Sequence, residues 1–286
     1  MSANTVKTAV LLALLSALLI LGGRALMGPG GLYVGLILAA AMNFSSYFFS
    51  EKIALMSYSA QPVTPTDHPD IYRRVAPIVV RLTERMGLPM PRLWVLPEQS
   101  PNAFATGRNP QHASVAFTAG ILQLMDDREL EGVVAHELGH VLHRDILISS
   151  IAAMLAGTIT LLASMARWGM MFGGFSRDDD DRGGGMLGEL LMLLLAPIAA
   201  MLIQAAISRS REYDADAASA KYTGTPYELI GGLQKLETWS KRIPMDASPA
   251  TAHLFIVKPF TGRSLMNLFS THPPTADRIA RLQAMR

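Results

Sequence analysis

Two histidines four residues apart, His136 and His140, enclose a glutamate, Glu137, in the stretch GVVAHELGHVLHRD that runs from Gly132 to Asp145. In an α-helix, positions i and i+4 are separated by about 6 Å of rise and about 40° of rotation. Both imidazoles can therefore give one nitrogen to a single Zn²⁺ at about 2.1 Å. Glu137 is turned by about 100° from His136, off the metal but close to a water beside it. A catalytic zinc lowers the pKa of such a water toward about 7, and the carboxylate takes its proton as the oxygen attacks a carbonyl, later passing it to the leaving amine. The chemistry is metal-assisted peptide hydrolysis.

The third ligand lies elsewhere in the chain. His143 is about 10.5 Å along a straight helix from His136, too far for both to bind one ion. No glycine breaks the helix after His140, and Ile146 stands where the longer HExxHxxGxxH pattern has its last histidine. The chain has no cysteine, so the ligand is a histidine or a carboxylate. The strongest candidate is Glu212, in SRSREYDADAAS. Asp216, four residues on, shares its helical face and can accept the second N–H of a metal-bound histidine, fixing its tautomer. Asp214 faces solvent. Alone, the segment reads equally as a surface helix with charges at i,i+4. Beside HExxH the ligand reading is preferred.

The histidine helix has a start at Asp126, with Glu129 three residues on as in a capping box, and an apolar stripe through Leu130, Val133 and Val134. Before it, 70–86 has helical spacing, and Arg92 to Leu96 and Ser114 to Thr118 are short β-rich runs around a loop-like PEQSPNAFATGRNPQHA. A small sheet is expected there. After it, helical stretches are expected at about 208–222, 225–240 and 274–285. The remaining histidines His68, His112 and His253 read as solvated or structural.

Half of the 286 residues are apolar and 17% are charged, below the roughly 25% of soluble globular proteins, which suggests membrane segments. Thr8 to Leu21, extended to Met27, is long enough to cross about 30 Å of hydrocarbon. No small-x-small cleavage site follows it and a second apolar run, Gly31 to Phe49, begins at once, so it reads as an anchor rather than a signal peptide. Asn43 is the strongly polar residue inside that run, and Tyr47, Phe48 and Phe49 form an interfacial belt. Ile146 to Trp168 and Met186 to Ile207 are the third and fourth runs, the third following the histidine helix without a linker. The Gly/Asp-rich loop between them, with Asp178 to Asp181, reads as a solvated acidic run. Of 25 Lys and Arg residues, four (Arg24, Arg167, Arg177 and Arg182) fall on one side and the other 21 with the termini, which places both termini and the soluble portion in the cytoplasm. The net charge of +2, with no dense basic block, recommends no nucleic-acid partner.

HELGHVLHRD, SRSREYDAD, PNAFATG and STHPPTADRIARL stand in the order seen in the HtpX-type membrane zinc metalloproteases, the family that also includes the type I CAAX prenyl endopeptidase. Together with the paired apolar runs, the resemblance covers nearly the whole chain. It implies one zinc per chain held by His136, His140 and Glu212, Glu137 as general base, a cytoplasmic active site at the bacterial inner membrane, and a stress-linked role in cleaving membrane or misfolded proteins. His272 resembles the residue that stabilises the anionic tetrahedral intermediate, although a histidine before two prolines also reads as a helix cap. Asn102, Ala103 and Phe104 resemble the edge-strand segment along which substrate adds as a β-strand. For Asn102, a turn-forming role after Pro101 is the alternative. Arg209 and Arg211 read as partners of the carboxylates near zinc, or as juxtamembrane charges.

The expected architecture is a mainly α integral membrane protein, with four transmembrane helices plus a cytoplasmic gluzincin-like α+β metalloprotease domain carrying a small β-sheet. Its parts are a transmembrane hairpin (1–50), a protease part with the HExxH helix (51–145), a second membrane hairpin (146–207) and a part supplying the third ligand (208–286). Two alternatives are weighed. A CAAX-type prenyl peptidase is disfavoured by the four apolar runs, and a non-catalytic metal-containing membrane scaffold by the three good ligands where a closed structural site needs four.

Overall fold

The computed structural model describes residues 3–148, 209–240 and 273–285, together with residues 151, 155, 158, 242 and 256. It is mostly helical, with one small mixed sheet. Helices α1 (Ala3–Met27) and α2 (Gly31–Ser57) are the first two apolar runs, folded against each other through a single turn at Gly28–Gly30. Asn43 donates from Nδ2 to Ser16 Oγ at 2.8 Å, so the polar residue of the second run is hydrogen-bonded to the first. Among the described residues one helix, Val6–Arg24, is long and apolar enough to cross a membrane. α2 bends by 69° between Gly28–Ser45 and Tyr47–Ser57, so the aromatic belt belongs to its second arm rather than to a straight span.

The third run does not continue the histidine helix. Arg144 takes a left-handed backbone (φ 58°), the chain turns, and helical residues resume at Ile146. Leu147, Ile148, Ile151 and Leu155 then pack on Leu11, Leu15 and Leu19 of α1 and Ala39 of α2. The fourth run, the acidic loop and most of the third lie outside the described residues.

The sheet consists of β1 (Gln61–Pro62), β2 (Arg92–Leu96), β3 (Ala103–Gly107) and β4 (Ala113–Thr118) in the order β1-β2-β4-β3. β2 and β4 are parallel; the other two pairings are antiparallel. β3 lies inside the stretch that reads as loop-like, at the segment where the family resemblance implies an edge strand. Ala103, Ala105 and Gly107 carry little intrinsic strand preference, and the strand is set by its pairing with β4 from Ala103 opposite Phe117 to Gly107 opposite Ala113. Among the described residues no further strand pairs with it.

Alternation along the strands assigns the two faces of the sheet. Leu93, Val95, Ala103, Ala105, Val115 and Phe117 meet Val75, Val79 and Leu82 of α3 (Pro69–Met86) and Leu130, Val134 and Leu138 of α5 (Asp127–His143) in the main core. On the opposite face Phe104, Leu96 and Ala116 pack against Ala54 and Leu55 of α2, which ties the sheet to the apolar hairpin. The short α4 (Ala119–Leu124) precedes α5. α6 (Arg209–Thr223) and α7 (Tyr227–Ser240) pack on α5, and α8 (Thr275–Gln283) packs on both of them.

Glycines set how closely these helices approach. A Cβ on Gly132 would stand 2.5 Å from Leu229 N of α7, and one on Gly139 would stand 3.1 Å from Ala215 Cα of α6. Ser219 Oγ donates to Gly132 O at 2.7 Å and locks α6 onto α5 at the same level.

Candidate metal centre

α5 starts where the sequence places it. The Asp126 carboxylate accepts from the backbone N–H of Arg128 and of Glu129 at 2.9 Å each, and Glu129 Oε2 accepts from Asp126 N at 3.1 Å. This capping box satisfies three of the backbone donors that open the helix. The burial of the helix from Gly132 to Gly139 follows from being covered on two sides, by the sheet with α3 and by α6 with α7.

On that helix His136 is fully buried and His140 keeps 17% of its side chain exposed. Their Nε2 atoms are 3.3 Å apart. Glu212, one turn into α6 and 3% exposed, brings Oε2 to 3.7 Å from His136 Nε2 and Oε1 to 3.7 Å from His140 Nε2. One ligand atom from each of the three residues lies within 4.8 Å of the others. Donors about 2.0–2.1 Å from a tetrahedral cation stand about 3.3–3.5 Å apart, so two imidazoles and a carboxylate at these separations fit a metal of the zinc type. His143 is exposed and outside the group.

The other side chains around the group are charged and buried. Asp216 Oδ1 is 3.0 Å from His136 Nδ1. Arg278, on α8 and 1% exposed, grips Asp216 at two points, donating from Nε to Oδ2 at 2.9 Å and from an Nη to Oδ1 at 2.6 Å. Asp145 places its carboxylate oxygens 3.2 and 3.3 Å from His140 Nδ1. Glu137 is 3% exposed and accepts from Ala105 N of β3 at 2.7 Å.

Burial and neighbouring charge set the protonation of these groups in opposite directions. Burial lowers His136 to about 4, with Arg278 adding to the effect. Burial raises Glu137 to about 8, against the pull of His140 and the Ala105 amide. For His140, burial works against the charged form but the charge and hydrogen bond of Asp145, then Glu212 and Glu137, outweigh it and push the imidazole up to about 10. Asp216 is likewise opposed by burial, yet Arg278 and His136 hold it down at about 2. The charged form is thus favoured at His140, beside Asp145 and Glu212, and disfavoured at His136, which burial and Arg278 keep neutral.

The remaining expected site residues are distributed as follows. Asn102 is 3% exposed. Its Oδ1 accepts from Ala103 N and from Ile256 N at 3.0 Å each, and its backbone pairs with Thr118. Ala103 and Phe104 are buried on opposite faces of the edge strand β3. Arg209 opens α6, with its side chain outside the described set, and Asp214 is exposed. His272 lies outside the described residues.

Two contributors were not singled out by sequence reasoning. Arg278 lies within THPPTADRIARL, and its signal in the sequence is that it falls four residues before Leu282, on the buried face of α8. Asp145 closes the histidine segment. An acidic group directly past a helix C-terminus is disfavoured by the helix dipole, and that mismatch is its signal.

A helix bearing HExxH, a glutamate from a second helix and an edge strand beside the base define a zincin-type metallopeptidase. The chain belongs to peptidase family M48, whose family model matches residues 69–286, and it is a metallopeptidase, a hydrolase acting on protein substrates. It is 53% identical over 280 residues to a protein named Protease HtpX homolog from Desulforapulum autotrophicum, covering 98% of this chain and 89% of that one. Relatives of the same name from Syntrophobacter fumaroxidans (55% identical, 98% of each chain) and Nostoc punctiforme (51%, 98% of this chain and 95% of that one) agree along the full length. Among solved structures, Ste24p of S. mikatae shares the fold, with a TM-score of 0.52 at 18% identity over 87% of this chain; the match spans 57% of Ste24p.

Proposed function

We propose that the chain is a zinc-dependent endopeptidase of the bacterial inner membrane, holding one Zn²⁺ per chain and cleaving membrane or misfolded proteins on the cytoplasmic side. In this reading the four apolar runs are its anchors (two hairpins, 1–50 and 146–207), and 51–145 and 208–286 supply the two halves of the site. The observation that carries it is the convergence of His136, His140 and Glu212 beside a buried carboxylate, Glu137, that touches the edge strand.

His136 and His140 would hold the cation through Nε2, since each Nδ1 lies against an aspartate, and Glu212 would hold it through its carboxylate. A bound cation would supply Lewis acidity toward water and a peptide carbonyl. Glu137 would take a proton from the attacking water as the water oxygen bonds to the carbonyl carbon, and deliver it to the leaving amine as the C–N bond breaks. A carboxyl raised toward about 8 is suited to holding and releasing a proton near neutrality. Substrate pairing with β3 is brought beside this base because the Ala105 amide is 2.7 Å from Glu137. His272, as an electrophilic stabiliser, and Arg209, as a carboxylate partner, complete the proposal on the motif resemblance alone.

The test uses the full-length chain purified in detergent, with zinc and an unfolded membrane-protein substrate. Cleavage should be abolished by a chelator and restored by zinc. Glu137→Gln should retain zinc and lose about 10²- to 10⁴-fold in rate. Cleavage by that variant at the parent rate would overturn the assignment of the base.

A further inference from the structure

Each metal histidine can present Nε2 to a cation only if the rest of its ring is held. For His136 the hold is Asp216, itself clamped by Arg278 at two points. For His140 the group at Nδ1 is Asp145, 2% exposed, which stands directly after the left-handed turn at Arg144 that ends α5. The turn sends the carboxylate back toward a ring five residues earlier; a helix continued through Arg144 would carry it away. Arg211, next to Glu212 in the chain, is 7% exposed, and none of its three guanidinium nitrogens makes a hydrogen bond among the described residues. Burial disfavours its charged form, and the negative charges of Asp145 and Glu212 work against that effect.

We propose that Asp145 is a positioning residue for His140, fixing the ring so that Nε2 faces Glu212 and His136, and that Arg211 is its countercharge. The metal centre then has two supports of the same kind, Arg278–Asp216–His136 and Arg211–Asp145–His140. The first is closed by hydrogen bonds and the second by longer-range electrostatics. They also differ in where they are attached. Asp145 directly precedes the third apolar run and Arg211 follows the fourth, so the second support joins the metal centre to both ends of residues 146–207.

The competing role for Asp145 is local. It stands at the N-cap position of the helical residues that begin at Ile146, where an aspartate would cap whether or not a histidine were near. The two roles separate on substitution, because asparagine caps as well as aspartate does but brings no charge to the imidazole.

The experiment rests on the metal-centre reading above and uses the intact chain in detergent. Zinc affinity is measured by competition with a chromogenic chelator, and thermal unfolding is followed on the metal-free protein. Asp145→Asn should weaken zinc about 10- to 100-fold, whereas a role as helix cap alone predicts unchanged affinity. The absorption of the Co²⁺-loaded variant should shift, as expected when a ligand ring is no longer fixed. Arg211→Gln should weaken zinc in the same direction by a smaller factor. Asp145→Asn binding zinc within about twofold of the parent would overturn the inference and leave Asp145 as a helix cap. Undiminished affinity in Arg211→Gln would remove Arg211 from it. A parent chain that takes up no zinc would overturn the metal-centre reading and this inference with it.

Discussion

Gly139 lies between His136 and His140, on the side of α5 that meets α6, and the closeness of that contact sets where Glu212 stands. A Cβ at this position would lie 3.1 Å from Ala215 Cα, 3.2 Å from Ala218 Cβ and 3.3 Å from Ala215 O. Comfortable carbon contacts begin at about 3.5 Å, so Gly139→Ala requires α6 to retreat by roughly 0.4 Å. Glu212 is about one turn from Ala215 on the same helix and would move with it. Metal–ligand distances tolerate about 0.2 Å, so the retreat stretches the site beyond its range. Overpacking of this size costs about 1–3 kcal/mol, and the better helix propensity of alanine returns about 1 kcal/mol. The variant should therefore fold with a small loss of stability and bind zinc about tenfold more weakly. Chelator competition on loaded protein and thermal unfolding of metal-free protein separate the two effects. Zinc binding as tight as in the parent, with a normal unfolding midpoint, would show that this contact does not set the ligand distance and would refute the reasoning.

Arg278→Met leaves Asp216 buried without its two-point partner, and breaking a buried pair in this way costs about 3–5 kcal/mol. Thermal unfolding should drop sharply, whereas the double variant Arg278→Met/Asp216→Leu, which removes both charges, should recover part of the loss but not the zinc affinity. Asp126→Ala removes the capping box and should cost about 1 kcal/mol in denaturant unfolding. Hydrogen bonding by the Glu129 backbone holds the Asp126 carboxyl below its ordinary value, so this contribution is present above that value. The difference between parent and variant should shrink as the pH falls through the depressed range.

The histidine helix was legible because its determinants are local. Asp126 and Glu129 mark its start, a 3.6-residue stripe marks its buried face, and i,i+4 spacing aligns His136 and His140. Glu212 and Asp216 were reachable by the same spacing rule on a second helix, with the choice between ligand and surface charge resting on the presence of HExxH. The strand β3 is weakly marked by its own residues, since three of the five from Ala103 to Gly107 are alanine or glycine and the surrounding stretch is rich in Pro, Asn and Gly; its pairing with β4 makes it a strand. Asp145 and Arg278 escaped for a related reason. One reaches His140 through a backbone turn of positive φ at an arginine, which no residue preference announces. The other reaches Asp216 across 62 positions of sequence. The expectation of a histidine helix running straight into the membrane arm failed at the same turn, because apolar continuity from Ile146 onward says nothing about the backbone of Arg144 and Asp145.

The central claim is that two imidazoles and one carboxylate of this chain hold a metal whose coordination is left open for catalysis. X-ray absorption at the zinc edge of the loaded, full-length protein tests it most directly. The account predicts two imidazole ligands and a carboxylate oxygen at about 2.0–2.2 Å, with one further light atom that is not supplied by the protein, and loss of the carboxylate contribution in Glu212→Ala. A shell of four protein ligands, or a spectrum that Glu212→Ala leaves unchanged, would contradict it.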